Sequence, residues 1–222
     1  MIEMPDPARA WEYENGFYLT CEVSRWGKFI AHYELTKRVS GLPGAIVECG
    51  VFKGTSFVRL AGFQSLLGGT GSKKLIGFDA FGPFPQTNFE ADRALRDKLV
   101  REAGEQSIGV EQLQLVLTTK GLLEDIELVA GNICTTVPEY VSTHPDLTIA
   151  LLNLDTDLYE PAVVILEHLW PRIVPGGVMM LDDYGVFPGE TKAVDDYFAG
   201  QAVKIERFPF AATPSFIVKA AQ

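Results

Sequence analysis

The chain has 222 residues, 47% of them hydrophobic, and 19 Lys and Arg stand against 29 Asp and Glu for a formal charge of −10. That hydrophobic content excludes a disordered chain, and the length predicts one domain over residues 1–222 with a sizeable core. The acidic balance argues against a nucleic-acid backbone or an anionic membrane surface as partner, since both recruit clustered Lys and Arg.

In chain order, Met1 to Asp6 has no basic stretch leading into an apolar one, so no signal peptide is expected. Residues 1–43 form a first segment. From about Asp6 to Ser40 it mixes Trp11, Tyr13, Phe17, Tyr18, Trp26, Phe29 and Tyr33 with charges, and parts of it read as helical. Such a segment is either a lid or an outer packing layer. Gly41-Leu42-Pro43-Gly44 stops it, and an α/β core is expected over 44–222. Ala45 to Val51 reads as the first strand. Thr55 or Ser56 can cap the next helix, whose face is Phe57, Leu60 and Ala61 and whose end is Gly68-Gly69. Leu75 to Asp79 is a second strand. In the long connection from Gln86 to Asp125, the i, i+4 pairs Asp92–Arg96 and Asp97–Arg101 predict a solvated helix. Val110, Leu113 and Leu117 predict another. Ile126 to Ile133 is a third strand and its exit, and Thr135 to Thr143 a short helix.

Two apolar runs then end in carboxylates. Leu147 to Leu154 is closed by Asp155-Thr156-Asp157, and Gly177 to Leu181 by Asp182-Asp183-Tyr184. Between them Ala162, Ile165, Leu166 and Leu169 mark one face of a helix over Tyr159 to Ile173. Strand, helix, strand is a βαβ unit with parallel strands. Asp155, Asp182 and Asp183 therefore reach one rim, where ligands bind in open α/β sheets. A loop over Val186 to Glu190 and a helix over Thr191 to Gly200 follow. Lys204–Phe210 and Ser215–Lys219 read as an antiparallel pair at the sheet edge.

Glu48-x-Gly50-x-x-x-Gly54 leaves a strand and opens a helix, a context suited to an adenine-containing cofactor. A dinucleotide fingerprint wants glycine two residues after its first, and here that position is Phe52. S-adenosylmethionine has no phosphate and does not need that glycine. Asp79 can accept ribose hydroxyls or serve as a turn residue. Asn132 and Ile133 leave the third strand where an adenine ring would lie. The candidate cofactor contacts are Glu48, Cys49, Gly50, Gly54, Thr55, Ser56, Asp79, Asn132 and Ile133.

Neighbouring carboxylates repel unless a cation neutralises them. With oxygen ligands only, Asp155, Asp182 and Asp183 point to Mg²⁺, Ca²⁺ or Mn²⁺ rather than zinc. Such an ion lowers the pKa of a bound hydroxyl, and Asp155 is the candidate base that removes its proton. Asp157 reads as the cap of the following helix. His144 lies at the opposite rim, His168 on the crossover helix, and His32 reaches the site only if the first segment covers it. The odd count of Cys21, Cys49 and Cys134, with no zinc spacing, fits reduced thiols of a cytoplasmic protein. No apolar run approaches the about 18 residues of a membrane helix.

Val47 to Gly54, Phe78-Asp79-Ala80-Phe81, Leu154 to Glu160, Pro175-Gly176-Gly177, Asp182 to Gly185 and Gly189 to Asp195 together resemble the macrocin O-methyltransferase family. The likeness runs from about Gly44 to Phe198. It implies a Rossmann-like methyltransferase fold, with a mostly parallel seven-stranded sheet, helices on both faces and an antiparallel edge strand. It also implies an S-adenosylmethionine-dependent, metal-dependent enzyme that methylates a hydroxyl on a sugar of an antibiotic or related secondary metabolite. By resemblance, Glu48, Gly50 and Asp79 hold the cofactor, Asp155, Asp182 and Asp183 hold Mg²⁺, and the chain forms a dimer or larger homo-oligomer. An NAD-dependent oxidoreductase and a non-catalytic nucleotide-binding module stay as alternatives.

Overall fold

The structure, a computed structural model, describes residues 1–68 and 72–220. Five parallel strands make the body of one sheet: β1 (Ala45–Cys49), β2 (Leu75–Asp79), β3 (Ile126–Ala130), β4 (Ile149–Leu154) and β5 (Ile173–Leu181). Two short strands finish it, β6 (Glu206–Arg207) and β7 (Ser215–Val218). The spatial order is β3-β2-β1-β4-β5-β7-β6. β7 runs antiparallel to both β5 and β6, so the expected edge pair is present, with β6 cut to two residues. Every residue of β1, β2 and β4 is buried, which is why these strands read as unbroken apolar runs rather than alternating ones.

The pleat sorts those runs onto two faces. Val47, Cys49, Leu152, Leu154, Met179 and Leu181 pack against α6 (Ile133–Thr143), α7 (Tyr159–Leu169) and α8 (Pro188–Tyr197). Ile46, Leu151, Val178 and Met180 pack against α2 (Val23–Arg38), α3 (Thr55–Gly68) and α5 (Val110–Thr119). Residues one apart thus serve opposite layers, as a period of two requires.

Several boundaries differ from expectation. A turn at Trp170–Arg172 ends α7, and β5 starts at Ile173, not Gly177. α8 starts at Pro188, not Thr191, because proline fits the first turn of a helix, where its missing N–H is not needed. Gly69, expected to help end α3, lies outside the described residues. The first segment divides in two. α2 buries Ala31, His32 and Leu35 and is a packing layer, whereas every residue of α1 (Ala10–Thr20) is at least partly exposed, Trp11 to 78%.

The expected solvated helix is α4 (Glu90–Ala103), mostly exposed, but its Asp92 and Arg96 are both buried. They do not pair. Arg96 donates to the carbonyls of Phe84 and Pro85 and to Asp97, so Asp97 is turned to Arg96 instead of Arg101. Asp92 turns the other way, toward the helices that follow β4 and β5.

Candidate active site

Register places the acids. Leu154 of β4 pairs with Leu181 of β5, so Asp155 and Asp182 leave the sheet side by side. The ladder continues one residue past each strand: Asp155 N donates to Cys49 O at 2.9 Å and Asp182 N to Leu154 O at 3.0 Å. Oxygens of Asp155, Asp182 and Asp183 then lie within 4.8 Å of one another. The sequence expectation that parallel pairing brings these three together holds.

Gly50 shows how tightly β1 and β4 approach here. Its φ is 95°, and a Cβ would overlap the carbonyl oxygen of Asp155. The glycine therefore serves the strand crossing that begins the site. β1 lies between β2 and β4, so chain order reverses at this point and opens a crevice. That crevice is a cavity of about 890 Å³. Asp155, Asp157, Asp182 and Asp183 form part of its wall. Gly50, Thr55, Ser56, Asn132 and Ile133 form another part, as expected for cofactor contacts.

Four expected contacts stand behind that wall. Cys49 is fully buried in the core, because it faces the α6–α7 layer. Gly54, with φ of 81°, packs under Leu113 and Ile108. Glu48 is fully buried and accepts from Asn153 Nδ2 at 3.0 Å. Burial pushes its carboxyl up to about 8, against the hydrogen bond from Asn153. Asp79 is used to shape the loop after β1: its Oδ2 accepts from Val51 N and Phe52 N, both at 2.9 Å, and its Oδ1 from Phe81 N at 2.7 Å. Asn132 does two things, lining the cavity and capping α6 by accepting from Cys134 N at 3.0 Å.

Asp157 is not the cap of α7. That helix has Leu158 at its N-cap position with no side-chain bond from it. Asp157 takes a φ of 62°, a left-handed conformation that Asp tolerates, and joins the cavity wall. Burial first, and the charge of Asp155 second, push its carboxyl up to about 7. The helix is capped from elsewhere. Asp92 Oδ2 accepts from Tyr159 N at 3.0 Å, and Asp92 Oδ1 accepts from Gly189 N at 2.7 Å. One buried carboxylate thus holds the first turns of both helices that follow the acid-bearing strands, in the place where helix dipoles favour negative charge. Gly189 is glycine because a Cβ would overlap Asp92 Oδ2.

Two further groups reach the cluster from α2. Lys28 forms an ion pair with Asp182 Oδ2, and His32 Nε2 lies 3.5 Å from Asp182 Oδ1. His32 thus meets the rim, in the way that required the first segment to cover it. Burial pushes the His32 imidazole down, against the pull of Asp182. Burial alone would raise Asp182, but Lys28 and His32 outweigh it and hold that carboxyl well below the usual range. Asp155 is raised by burial and by Asp182, and Asp183 by burial and by Asp157. Behind them Glu190 Oε1 accepts from Asp183 N at 3.0 Å and orients it. The other histidines are where expected: His144 ends α6 at the far rim, and His168 is half-buried on α7.

Lys28, Asp92 and Glu190 are site residues that the sequence reading misses: Asp92 reads there as a surface pair with Arg96, and Glu190 enters only within the Gly189 to Asp195 run of the resemblance. His32 is the one histidine the sequence leaves open for the rim.

The donor set suits a hard divalent cation: every oxygen comes from a carboxylate, and Asp182 Oδ1 is buried without a hydrogen-bond partner among the described residues. No helix among the described residues is long and apolar enough to cross a membrane.

The family model described as macrocin-O-methyltransferase (TylF) matches residues 31–208. The 8-demethyl-8-(2,3-dimethoxy-alpha-L-rhamnosyl)-tetracenomycin-C 4'-O-methyltransferase of Streptomyces olivaceus is 30% identical over 164 residues, 73% of this chain and 60% of its own. The mycinamicin III 3''-O-methyltransferase of Micromonospora griseorubida is 27% identical over 176 residues, 75% of this chain and 67% of its own. The chain thus spans about 60% of the length of the first of these relatives. Among solved structures, the calicheamicin methyltransferase CalS11 superposes with a TM-score of 0.78 at 24% identity, covering 96% of this chain and 86% of that one. The O-methyltransferase NovP gives 0.75 at 24% identity, covering 88% and 80%. Those two share the fold. With the match extending over most of the chain, this protein belongs to the macrocin-O-methyltransferase family.

Proposed function

We propose that the chain transfers a methyl group from S-adenosylmethionine to a hydroxyl of a sugar on a secondary metabolite. The observation that carries this is the placement of Asp155, Asp182 and Asp183 on the wall of a cavity whose other wall is Gly50, Asn132 and Ile133. Family membership and the sugar O-methyltransferases among its relatives support the same reading.

Asp155, Asp182 and Asp183 would hold Mg²⁺, which when bound acidifies an acceptor hydroxyl. The chain's own work is placement and proton removal. The ladder bonds at Asp155 and Asp182 fix the rim backbone, Glu190 fixes Asp183, and Asp92 fixes the helices behind. A site held this way aligns the acceptor oxygen and the methyl carbon with little left to order.

Asp155 is the base in the reading from sequence. Asp157 is a second candidate, favoured by its place in the cavity wall beside the cluster and its freedom from capping. Two variants separate them. Asp157→Asn that loses turnover but still binds Mn²⁺ makes Asp157 the base. Asp155→Asn that loses turnover while Mn²⁺ and S-adenosylhomocysteine still bind makes it Asp155.

The function as a whole is tested by calorimetric titration with S-adenosylmethionine and with NADH, followed by methyl transfer from labelled cofactor to rhamnosylated acceptors. Binding of NADH alone would return the oxidoreductase alternative. Uptake of nucleotide without any transfer, and with no metal bound, would favour a non-catalytic module.

A further inference from the structure

We propose that Arg25 on α2 and Arg59 on α3 form an oxyanion subsite in the cavity wall, taking a carboxylate or phosphate carried by one of the two small molecules that meet at the acid cluster. This rests on reading the cavity as a methyl-transfer site. Its chemistry is opposite to that of the cluster, and nothing in the reaction described so far uses it.

Both arginines line the cavity, from helices that pack against each other. Arg59 lies one turn after Ser56, which also lines it, so the two share the α3 face turned to the crevice. Arg59 Nη1 is buried without a hydrogen-bond partner among the described residues. Buried donors in folded chains are nearly always satisfied, so an orphaned guanidinium nitrogen in a cavity wall marks a place where a ligand supplies the acceptor. The guanidinium carbon also lies 5.5 Å over the ring of Phe29, a cation–π contact that still leaves Nη1 without an acceptor.

Arg25 adds a like charge near Arg59, and Asp182 is the opposite charge that acts on Arg59 from the cluster. The Arg25 side chain makes no ion pair or hydrogen bond among the described residues. Both guanidiniums line one cavity, Arg25 exposed and Arg59 with a buried nitrogen that lacks an acceptor, so an anion there would satisfy Arg59 and meet Arg25 at the cavity mouth. Lys28 does not compete for that anion, because Asp182 already holds it. The simpler account is that both arginines only offset the field of the nearby carboxylates. That account gives them no ligand preference, and so can be separated from the proposal.

A forked pair of guanidiniums recognises carboxylate and phosphate by the same parallel N–H···O bonds. Two sources are available in methyl transfer: the methionine carboxylate of the cofactor, or a phosphate on the acceptor. The first would make α2 part of the cofactor site. The second would make the acceptor a phosphorylated sugar.

The test uses the full chain in calorimetric titrations with three probes: S-adenosylmethionine, its decarboxylated form and inorganic pyrophosphate. Wild type is compared with Arg25→Gln, Arg59→Gln and Arg59→Lys. Arg25 is exposed, so its variant reports on binding even if Arg59→Gln disturbs packing. If the cofactor is the source, both Gln variants bind S-adenosylmethionine about tenfold more weakly, the decarboxylated form as before, and Arg59→Lys recovers part of the loss. If the acceptor is the source, wild type binds pyrophosphate, both Gln variants bind it about tenfold more weakly, and cofactor affinity is unchanged. Gln variants that match wild type for all three probes would overturn the subsite. Wild type that binds neither form of the cofactor would instead overturn the methyl-transfer reading, and the pyrophosphate arm would still decide the subsite.

Discussion

Asp92→Asn is the sharpest test of how the rim is held. The carboxylate accepts from Tyr159 N at 3.0 Å and from Gly189 N at 2.7 Å, one donor per oxygen. Asparagine keeps the shape but offers one acceptor, and its amide N–H₂ faces the other backbone N–H. A hydrogen bond to a charged group is lost and a buried donor is orphaned, which together cost about 3 kcal/mol. For a chain of this size that lowers the melting temperature by about 6–12 °C. The loss should also reach the metal site. Tyr159 and Gly189 begin the helices that follow Asp155 and Asp182, so slack in their first turns loosens the segments bearing the acids. Thermal unfolding by circular dichroism reads the first effect, and calorimetric titration with Mn²⁺ the second. A variant that melts within about 1 °C of wild type and binds Mn²⁺ equally well would refute the bridging role.

Lys28→Met leaves Asp182 buried beside like charges, so in chelator the variant should lose about 3–5 kcal/mol, and added Mn²⁺ should restore part of it; melting curves with and without metal check this. Glu48 has its carboxyl raised from 4.5 to about 8, so the folded chain keeps a proton the unfolded chain has lost. Its contribution is fully present below about pH 4.5 and is lost as pH rises through about 8. Urea unfolding should therefore show Glu48→Gln losing up to about 2 kcal/mol less than wild type between pH 6 and pH 8, and parallel curves would contradict the assignment. Excess EDTA should stop methyl transfer while S-adenosylhomocysteine still binds; full activity in chelator would remove the metal from the mechanism.

The rim was legible in sequence because it follows from local facts. Two apolar runs with a helix between them must be parallel, and parallel strands end at one edge. The register of Leu154 with Leu181 then leaves Asp155 and Asp182 no other place to go. What holds the rim was not legible, because it comes from far along the chain. Asp92 sits in a helix whose i, i+4 charges read as surface pairs, and nothing local shows that it meets Tyr159 and Gly189, 67 and 97 residues away. Lys28 reaches Asp182 across 154 residues. Asp157 was misread for a related reason. An acid close before a helix can serve as its cap, but here Leu158 holds the cap position and Asp92 accepts the first-turn N–H. Cys49 and Asp79 show what a strand end leaves unread: one faces the core, and the other shapes the loop in front of it, the turn role the sequence also allowed.

Charge explains why Lys28 is where it is. Asp155, Asp182 and Asp183 cannot all ionise together in a buried space, since each raises the energy of the next. The fold settles part of this by itself: Lys28 keeps Asp182 ionised, while Asp155 and Asp183 are left favouring their protons. Ionising those two as well would give three negative charges against one positive charge. The deficit is two, the charge of the divalent cations that oxygen-only ligands select. A lysine at the rim therefore does not fill the need for a metal. It lowers the cluster from a site that would demand three charges to one that two can balance. It also predicts that Lys28→Met will hold Mn²⁺ no more weakly than wild type, even as the variant becomes less stable without it. Weaker Mn²⁺ binding in that variant would mean that Lys28 orders the ligands rather than neutralising them.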